Sequence, residues 1–196
     1  MTAPLSPEAL DQLFAAAHTC YKYTDAPVST EQLHAIWEQM KYAPTSFNCL
    51  PARMIWCVSA ESKEKLAALA MEANAKRIRE APVSVIIGMD TAFYQNLPEL
   101  FPPADVQGLF SSNAELAQTT AFRNSTLQGG YLILATRALG LGIGPMSGFN
   151  NAAVDEAFFA GTTIKSNFIA TLGVPDPAGI LPRLPRPSFD RFNTIV

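Results

Sequence analysis

The stretch "LGLGIGPMSGF", Leu139 to Phe149, concentrates residues that could do chemistry: Gly140, Gly142, Gly144 and Gly148 surround Pro145 and Ser147. Such a segment could cradle a phosphate, present a serine nucleophile, stop a helix or offer a bare platform to a planar ligand. A dinucleotide fingerprint requires G-x-G-x-x-G between a strand and a helix. Starting from Gly140 its third glycine falls on Pro145, and starting from Gly142 on Ser147, and the segment follows a helical pattern. A nucleophile elbow, G-x-S-x-G, fails because the glycine before Ser147 lies one position too far away. The Gly-Lys-Ser/Thr ending of a phosphate loop is absent. The remaining reading has Gly140 stop a helix, Gly142 and Gly144 allow a sharp turn, and Pro145 fix φ. Gly148 then leaves backbone N–H groups open to a flat ligand. An ordinary turn between a helix and the sheet is the alternative.

Other reactive side chains are few. Two histidines, His18 and His34, give a zinc site little to build on, and no metal is expected. Three cysteines, Cys20, Cys49 and Cys57, are odd in number and lack metal-ligand spacing. Cys49 and Cys57 read as small buried residues in a reduced, cytoplasmic protein. The start "MTAPLSPEALDQL" has neither a basic head nor an apolar signal core. The longest apolar run, around Tyr131 to Leu134, is too short for a membrane span. A net charge of -3 with no basic stripe argues against nucleic acid. Only 16% of residues are charged against 48% hydrophobic, where an average soluble domain has about 25% charged. That deficit predicts surface buried in a homo-oligomer.

The elements that must position these residues follow from local signals. Ser6-Pro7-Glu8 opens a helix running to about Thr19. Ser29 and Gln32 form a capping box for a second helix, carrying Leu33, Ile36, Trp37 and Met40, that ends before Pro44. Arg53 to Ser59 and Pro82 to Asp90 read as strands, the second central. Glu61 to Glu80 between them reads as a helix broken near Asn74. Residues 91–110, with Pro98, Pro102, Pro103, Phe93, Tyr94, Phe101 and Phe110, show no period and form either a crossover or an aromatic lid. A long helix from Ser111 or Ser112 to Leu139 ends at Gly140. Within it Gly129-Gly130 costs about 1 kcal/mol per glycine against alanine, which suits close approach of another backbone. A short helix, Asn151 to Phe159, a strand, Asn167 to Val174, and an extended proline-rich tail, 175–196, complete one domain over 1–196. The mixture predicts an α+β or α/β fold dominated by helices.

Several segments carry a resemblance. "DAPVSTEQL" (Asp25 to Leu33), "KYAPTSFNCLPAR" (Lys41 to Arg53), "NAKRIREAPVSVII" (Asn74 to Ile87), "GIGPMSGF" (Gly142 to Phe149) and the Arg-Pro tail stand in an order and spacing similar to the FMN-dependent nitroreductase family. The similarity runs from about His18 to Phe189. "AFRNS", "GPMSGF", "AFFAGTTIKSN" and "LPRLPR" are most similar to its malonic semialdehyde reductase subgroup.

That resemblance implies an α+β fold with a central, mainly antiparallel sheet flanked by helices. It implies a homodimer with the long helix at its interface and the tail extended onto the other subunit. It implies FMN as cofactor and NADH or NADPH as co-substrate, with ping-pong hydride transfer through flavin N5 to a small electron acceptor, a carbonyl such as malonic semialdehyde or a nitro or quinone compound. The flavin carries the hydride, so no side chain is assigned as catalytic. By position, Pro44, Thr45, Ser46 and Asn48 would reach the flavin across the interface, and Asn74 would bond the polar edge of the ring. Pro145, Met146, Ser147 and Gly148 would lie along it, Arg183 and Arg186 would hold the phosphate with His18 near it, and Thr19 and Cys20 would also contact the cofactor. The family's N-terminal arginines are replaced here by Ala17, His18 and Thr19, a further basic residue by Tyr21, and a frequent glutamate by Ser147. A non-catalytic flavin- or partner-binding homodimer is the competing reading. Arg123 would bind a substrate carboxylate or the nicotinamide phosphate, or else pair with an acid across the dimer. Phe101 and Phe110 would stack over substrate or pack in the core.

Overall fold

Val83 to Met89 has no polar face to offer water, which is the pattern of a strand covered on both sides. In the computed structural model, which describes residues 3–196, it forms β2 (Val83–Asp90). The other strands are β1 (Ala52–Cys57), β3 (Gly142–Met146) and β4 (Ile164–Gly173). Their order is β1-β2-β4-β3 and every pairing is antiparallel. Ile86 stands opposite Ile55 on one side and Ile169 on the other.

Alternation along the strands divides the core in two. Val83, Val85 and Ile87 face one way with Ile143, Ala170 and Leu172, against α2 (Thr30–Met40) and α7 (Ala114–Ala138). Ile86, Ile169 and Met146 face the other way, against α3 (Ala60–Ala67), α4 (Glu72–Glu80) and α8 (Asn151–Phe159). Each fully buried Ile or Leu contributes roughly 1.5–3 kcal/mol, so a one-residue slip of register, which swaps the two faces, would be heavily penalised. The fold is α+β, an antiparallel sheet flanked by helices. Among the described residues no helix is long and apolar enough to cross a membrane.

The capping box of α2 forms, with Gln32 N–H bonded to Ser29 Oγ and Ser29 N–H to Gln32 Oε1. The long helix α7 is capped by Asn113. It ends where expected: Gly140 has φ +77°, its N–H donates to the Arg137 carbonyl, and Leu141 N–H reaches back to Thr136. That double bond pattern is a Schellman turn, which needs a left-handed residue at Gly140.

Four expectations change. The first helix, α1 (Pro7–Leu10) continued by a π-type turn at Asp11–Ala15, stops before Thr19. Residues 61–80 are broken at 68–71 and not at Asn74, because Met71 N–H bonds the Gly148 carbonyl and Asn150 N–H the Leu69 carbonyl. Those cross-chain bonds compete with continuing the helix. Residues 91–110 are not without order: a turn of 3-10 helix at Phe93–Asn96 leads to α5 (Leu97–Leu100) and α6 (Gln107–Ser111). Gly129 accommodates a side chain within this subunit, since any Cβ there would strike the Phe168 ring, whereas Gly130 faces open space.

The largest correction is β3. Gly142 to Met146, expected as a turn, is an edge strand bonded to β4. Proline is tolerated at such an edge. The outer side of β3 is covered by the segment after α1, where Cys20 N–H donates to the Ile143 carbonyl at 3.0 Å. After β4 the chain turns through Pro177–Gly179 and runs out as the tail. Its short α9 (Phe189–Phe192) and the apolar Leu181, Leu184, Phe189 and Phe192 are all exposed.

Candidate functional site

Where β3 ends, the chain forms a bare ledge. Met146 turns its side chain into the core and is 8% exposed, so only its backbone is on offer there, while Ser147 is exposed and Gly148 partly so. The Gly148 carbonyl is held twice, by Met71 N–H at 2.9 Å and by Asn74 Nδ2 at 3.0 Å. The N–H groups of Ser147 and Gly148 meet no acceptor among the described residues. A Cβ on Gly148 would come within 2.6 Å of Asn74 Nδ2 and 3.0 Å of Met71 Sδ. The ledge is thus a pair of open donors beside a fixed amide side chain, with no side chain in the way.

A second feature lies where α1 and the tail meet the end of α7. His18, Thr19, Tyr21, Arg137, Arg183 and Arg186 line a cavity of about 610 Å³. Arg183 spans to the N-terminal segment, its Nη2 donating to the carbonyls of Ala15 and Ala17 at 2.6 and 2.8 Å. An adjoining cavity of about 330 Å³ takes in His18, Thr19, Cys20 and Arg137. Burial pushes the Cys20 thiol above its ordinary range, and the thiol donates to the Lys22 carbonyl. It is therefore a neutral wall residue at neutral pH.

Arg77 joins cavity to ledge. It sits three residues after Asn74 on α4, its guanidinium lies 4.3 Å from the Tyr21 ring centroid, and Nη2 donates to the Cys20 carbonyl. A Cβ on Gly144 would strike both that carbonyl and the guanidinium. Arg77 Nε is buried without a partner among the described residues, an orphaned donor on the side chain that packs at Gly144, in the strand leading to the ledge. A flat, polar-edged ring on the ledge and an anionic end in the basic cavity would meet matched groups at both ends. FMN has that form.

The loop of Pro44, Thr45, Ser46 and Asn48 lines neither cavity. It is presented outward on α7. Asn124 Oδ1 accepts the Ser46 N–H at 2.8 Å, and Gln128 Oε1 accepts the Ala52 N–H at 2.8 Å. Phe47, Asn48 and Leu50 all have positive φ, 51°, 50° and 36°. Three such non-glycine residues so close together mark a strained loop held by its surroundings. Phe47 is clamped edge-on by Phe101 and Phe110 at 5.2 and 6.0 Å. Phe110 is 3% exposed in a satellite core with Phe93 and Leu97, and Phe101 packs against that core. Within the subunit, residues 91–110 therefore buttress the loop. Arg123 is exposed on α7, in no ion pair among the described residues. Cys49 and Cys57 are fully buried, and burial pushes their thiols up to about 11, so neither is a thiolate at neutral pH.

Sequence reasoning missed Arg77 and Arg137, and gave no role to Asn124 and Gln128. Arg77 had a signal, its i,i+3 spacing from Asn74 on one helix face. Asn124 and Gln128 had another, polar residues four apart on an otherwise apolar stripe.

Residues 14–174 match the family model described as "Nitroreductase family". A Burkholderia lata protein provisionally named NADH dehydrogenase/NAD(P)H nitroreductase is 54% identical over 97% of this chain and 98% of its own length. HadB of Ralstonia pickettii, which carries the same provisional name, is 52% identical over the whole of both chains. Among solved structures, a protein provisionally named nitroreductase, from Exiguobacterium sibiricum and in complex with FMN, superposes with a TM-score of 0.82 at 21% identity, covering 100% of this chain and 99% of that one.

Proposed function

Because the chain belongs to the nitroreductase family, we propose that it is an FMN-dependent oxidoreductase that takes hydride from NADH or NADPH and delivers it to a small acceptor. The observation that carries this reading is the pairing of a bare ledge at Ser147-Gly148 with a basic cavity at His18, Arg183 and Arg186, joined by Arg77. FMN, when bound, supplies the hydride relay. The protein's part is to hold and tune it. Asn74 bonds the polar edge of the ring, and the free N–H groups of Ser147 and Gly148 favour negative charge developing beside them. The arginines fix the phosphate by forked, charged donors.

The active form is proposed to be a homodimer. The exposed Phe122 and Leu127 on α7 and the exposed apolar tail support it, as apolar surface of that kind is usually covered by a partner. In that assembly the loop carrying Thr45, Ser46 and Asn48 reaches the flavin across the interface, and the tail lies on the other subunit. Three free thiols suit a reducing, cytoplasmic setting. We assign the acceptor to small carbonyls of the malonic semialdehyde type, on the wording of the segments around Arg123 and the tail.

The test uses purified protein. It is expected to be yellow and dimeric, to bleach on addition of NADH or NADPH, and to regain colour with acceptor. A colourless protein that FMN neither colours nor stabilises would reject the reading and leave a partner-binding module. Comparing malonic semialdehyde with a nitroaromatic, under each nicotinamide, identifies the acceptor class. Turnover of the nitroaromatic alone would reject the carbonyl assignment.

A further inference from the structure

The cavity beside His18 is unbalanced in charge. Its lining holds His18, Arg137, Arg183 and Arg186 and no carboxylate. Among the described residues none of the three arginines is ion-paired. Backbone carbonyls give partial compensation: Leu13 accepts from Arg137 Nη1 at 2.9 Å, and Ala15 and Ala17 accept from Arg183. Arg186 is turned onto its own neighbours, the carbonyls of Leu184 and Pro185.

Arg137 is the member left incomplete. Its Nε is buried with no acceptor among the described residues. Burial disfavours its charged form, and the neighbouring Arg183 charge adds to that. Arg137 is only partly buried, but a guanidinium N–H buried without an acceptor is costly unless an anion completes it. Its backbone is also fixed, because it lies in the last turn of α7 and its carbonyl accepts from Gly140 N–H and Gln12 Nε2. The side chain therefore enters the cavity from a rigid base.

We infer that Arg137 is a ligand for a phosphate monoester in this cavity, namely the phosphate of FMN, acting with His18, Arg183 and Arg186. The inference rests on the flavin reading above. It supplies a cation from the end of α7 at a site to which the N-terminal segment Ala17-His18-Thr19 brings no arginine.

Removal of the phosphate is the discriminating move. Apo-protein is titrated with FMN and with riboflavin, which is the same ring without the phosphate, in the native chain and in Arg137→Gln. The native chain is expected to prefer FMN. The variant is expected to lose about tenfold to a hundredfold in FMN affinity, the range for one charge-assisted bond, and to bind riboflavin as before. Equal weakening of both flavins would mean that Arg137 only props up α1 through Leu13, and overturns the inference. An unchanged preference for FMN overturns it too. Should the glutamine variant not fold, Arg137→Lys, which keeps the charge but not the fork, is expected to lose FMN preference by a smaller factor, and an unchanged preference overturns the inference again. The ratio of KM for NADH to that for NADPH is expected to stay put. A selective loss for NADPH would assign the anion to the nicotinamide nucleotide and overturn the flavin assignment. If the native chain binds neither flavin, it is the flavin reading that has failed. Inorganic phosphate then probes the cavity directly: a phosphate-dependent rise in Tm that Arg137→Gln abolishes supports the anion site, and no rise overturns it.

Discussion

Gly144→Ala is expected to lower the Tm by roughly 2–12 °C, from an overpacking cost of about 1–3 kcal/mol at roughly 2–4 °C per kcal/mol for a chain of this size. The added methyl would strike the Cys20 carbonyl, and that carbonyl cannot step aside. Cys20 N–H is bonded to Ile143, and the carbonyl itself accepts from Arg77 and Tyr23. The clash therefore falls on backbone covering the sheet edge. Gly148→Ala gives the contrasting result. Its new methyl meets the ends of two side chains, Asn74 Nδ2 at 2.6 Å and Met71 Sδ at 3.0 Å, and both can swing away. Its Tm is expected to stay within about 2 °C of the native value, on the small cost typical of surface substitutions. Flavin binding should suffer instead, because Asn74 leaves its place against the ledge. Thermal melts and flavin titrations of the two variants separate the cases. If Gly144→Ala melted like the native protein, the segment after α1 would not be packed on β3 as described.

The two glycines also show which parts of the molecule could be read in advance. Signals that act within one turn of chain were legible. The Ser29–Gln32 box and the Gly140 stop are chemistry between residues three to five apart, and both are found in place. Strand β2 was legible because a run that is apolar but for Ser84 has nowhere to lie but the sheet centre. Strand β3 was not. Two glycines and a proline argue for a turn on local grounds, and only a distant event, the approach of Cys20 to Gly142 and Gly144, explains why they serve in an edge strand. The break at 68–71 was misplaced for the same reason, since its cause is pairing with 148–150.

The candidate site divides along that line. The family pattern drew attention to His18, Arg183 and Arg186, and they do line one cavity although the chain separates them widely. Arg137 has no local mark that distinguishes it from any basic residue in a last helical turn, where cations commonly serve the helix dipole. Only the folded chain turns it toward the other three. The long helix was read by its ends and its glycines. Its polar stripe has no role legible in the sequence, because buried Asn and Gln acquire meaning only when their partners, here Ser46 and Ala52, are known.

That stripe carries the second large expectation. Asn124→Leu removes the acceptor for Ser46 N–H and the Nδ2 donor to the Thr120 carbonyl. The helix itself should survive, because the Thr120 carbonyl can still accept within the helix and leucine is the better helix former. The loop should not. Phe47, Asn48 and Leu50 stay in the left-handed region only while their surroundings hold them, at about 1–3 kcal/mol for each strained residue. Three holds are identifiable: the Asn124–Ser46 bond, the Thr45 Oγ1 bond to Leu50 N–H at 3.2 Å, and the aromatic clamp on Phe47. Removing the first frees the end of the loop that bears the exposed Ser46. In apo-protein, hydrogen exchange of the amides from Ser46 to Cys49 is expected to quicken by at least about tenfold, the factor that corresponds to about 1.4 kcal/mol of lost protection. The strands β1 and β2 should keep their native rates. Gln128→Leu serves as comparison. It frees the Ala52 N–H, which is buried, and so should cost more in Tm and less in loop mobility, although removing the unpartnered Nε2 of Gln128 offsets part of that cost. If the loop of Asn124→Leu exchanged at the native rate, the Thr45–Leu50 bond and the aromatic clamp would suffice to hold it, and the role of α7 in presenting Thr45, Ser46 and Asn48 would have to be given up.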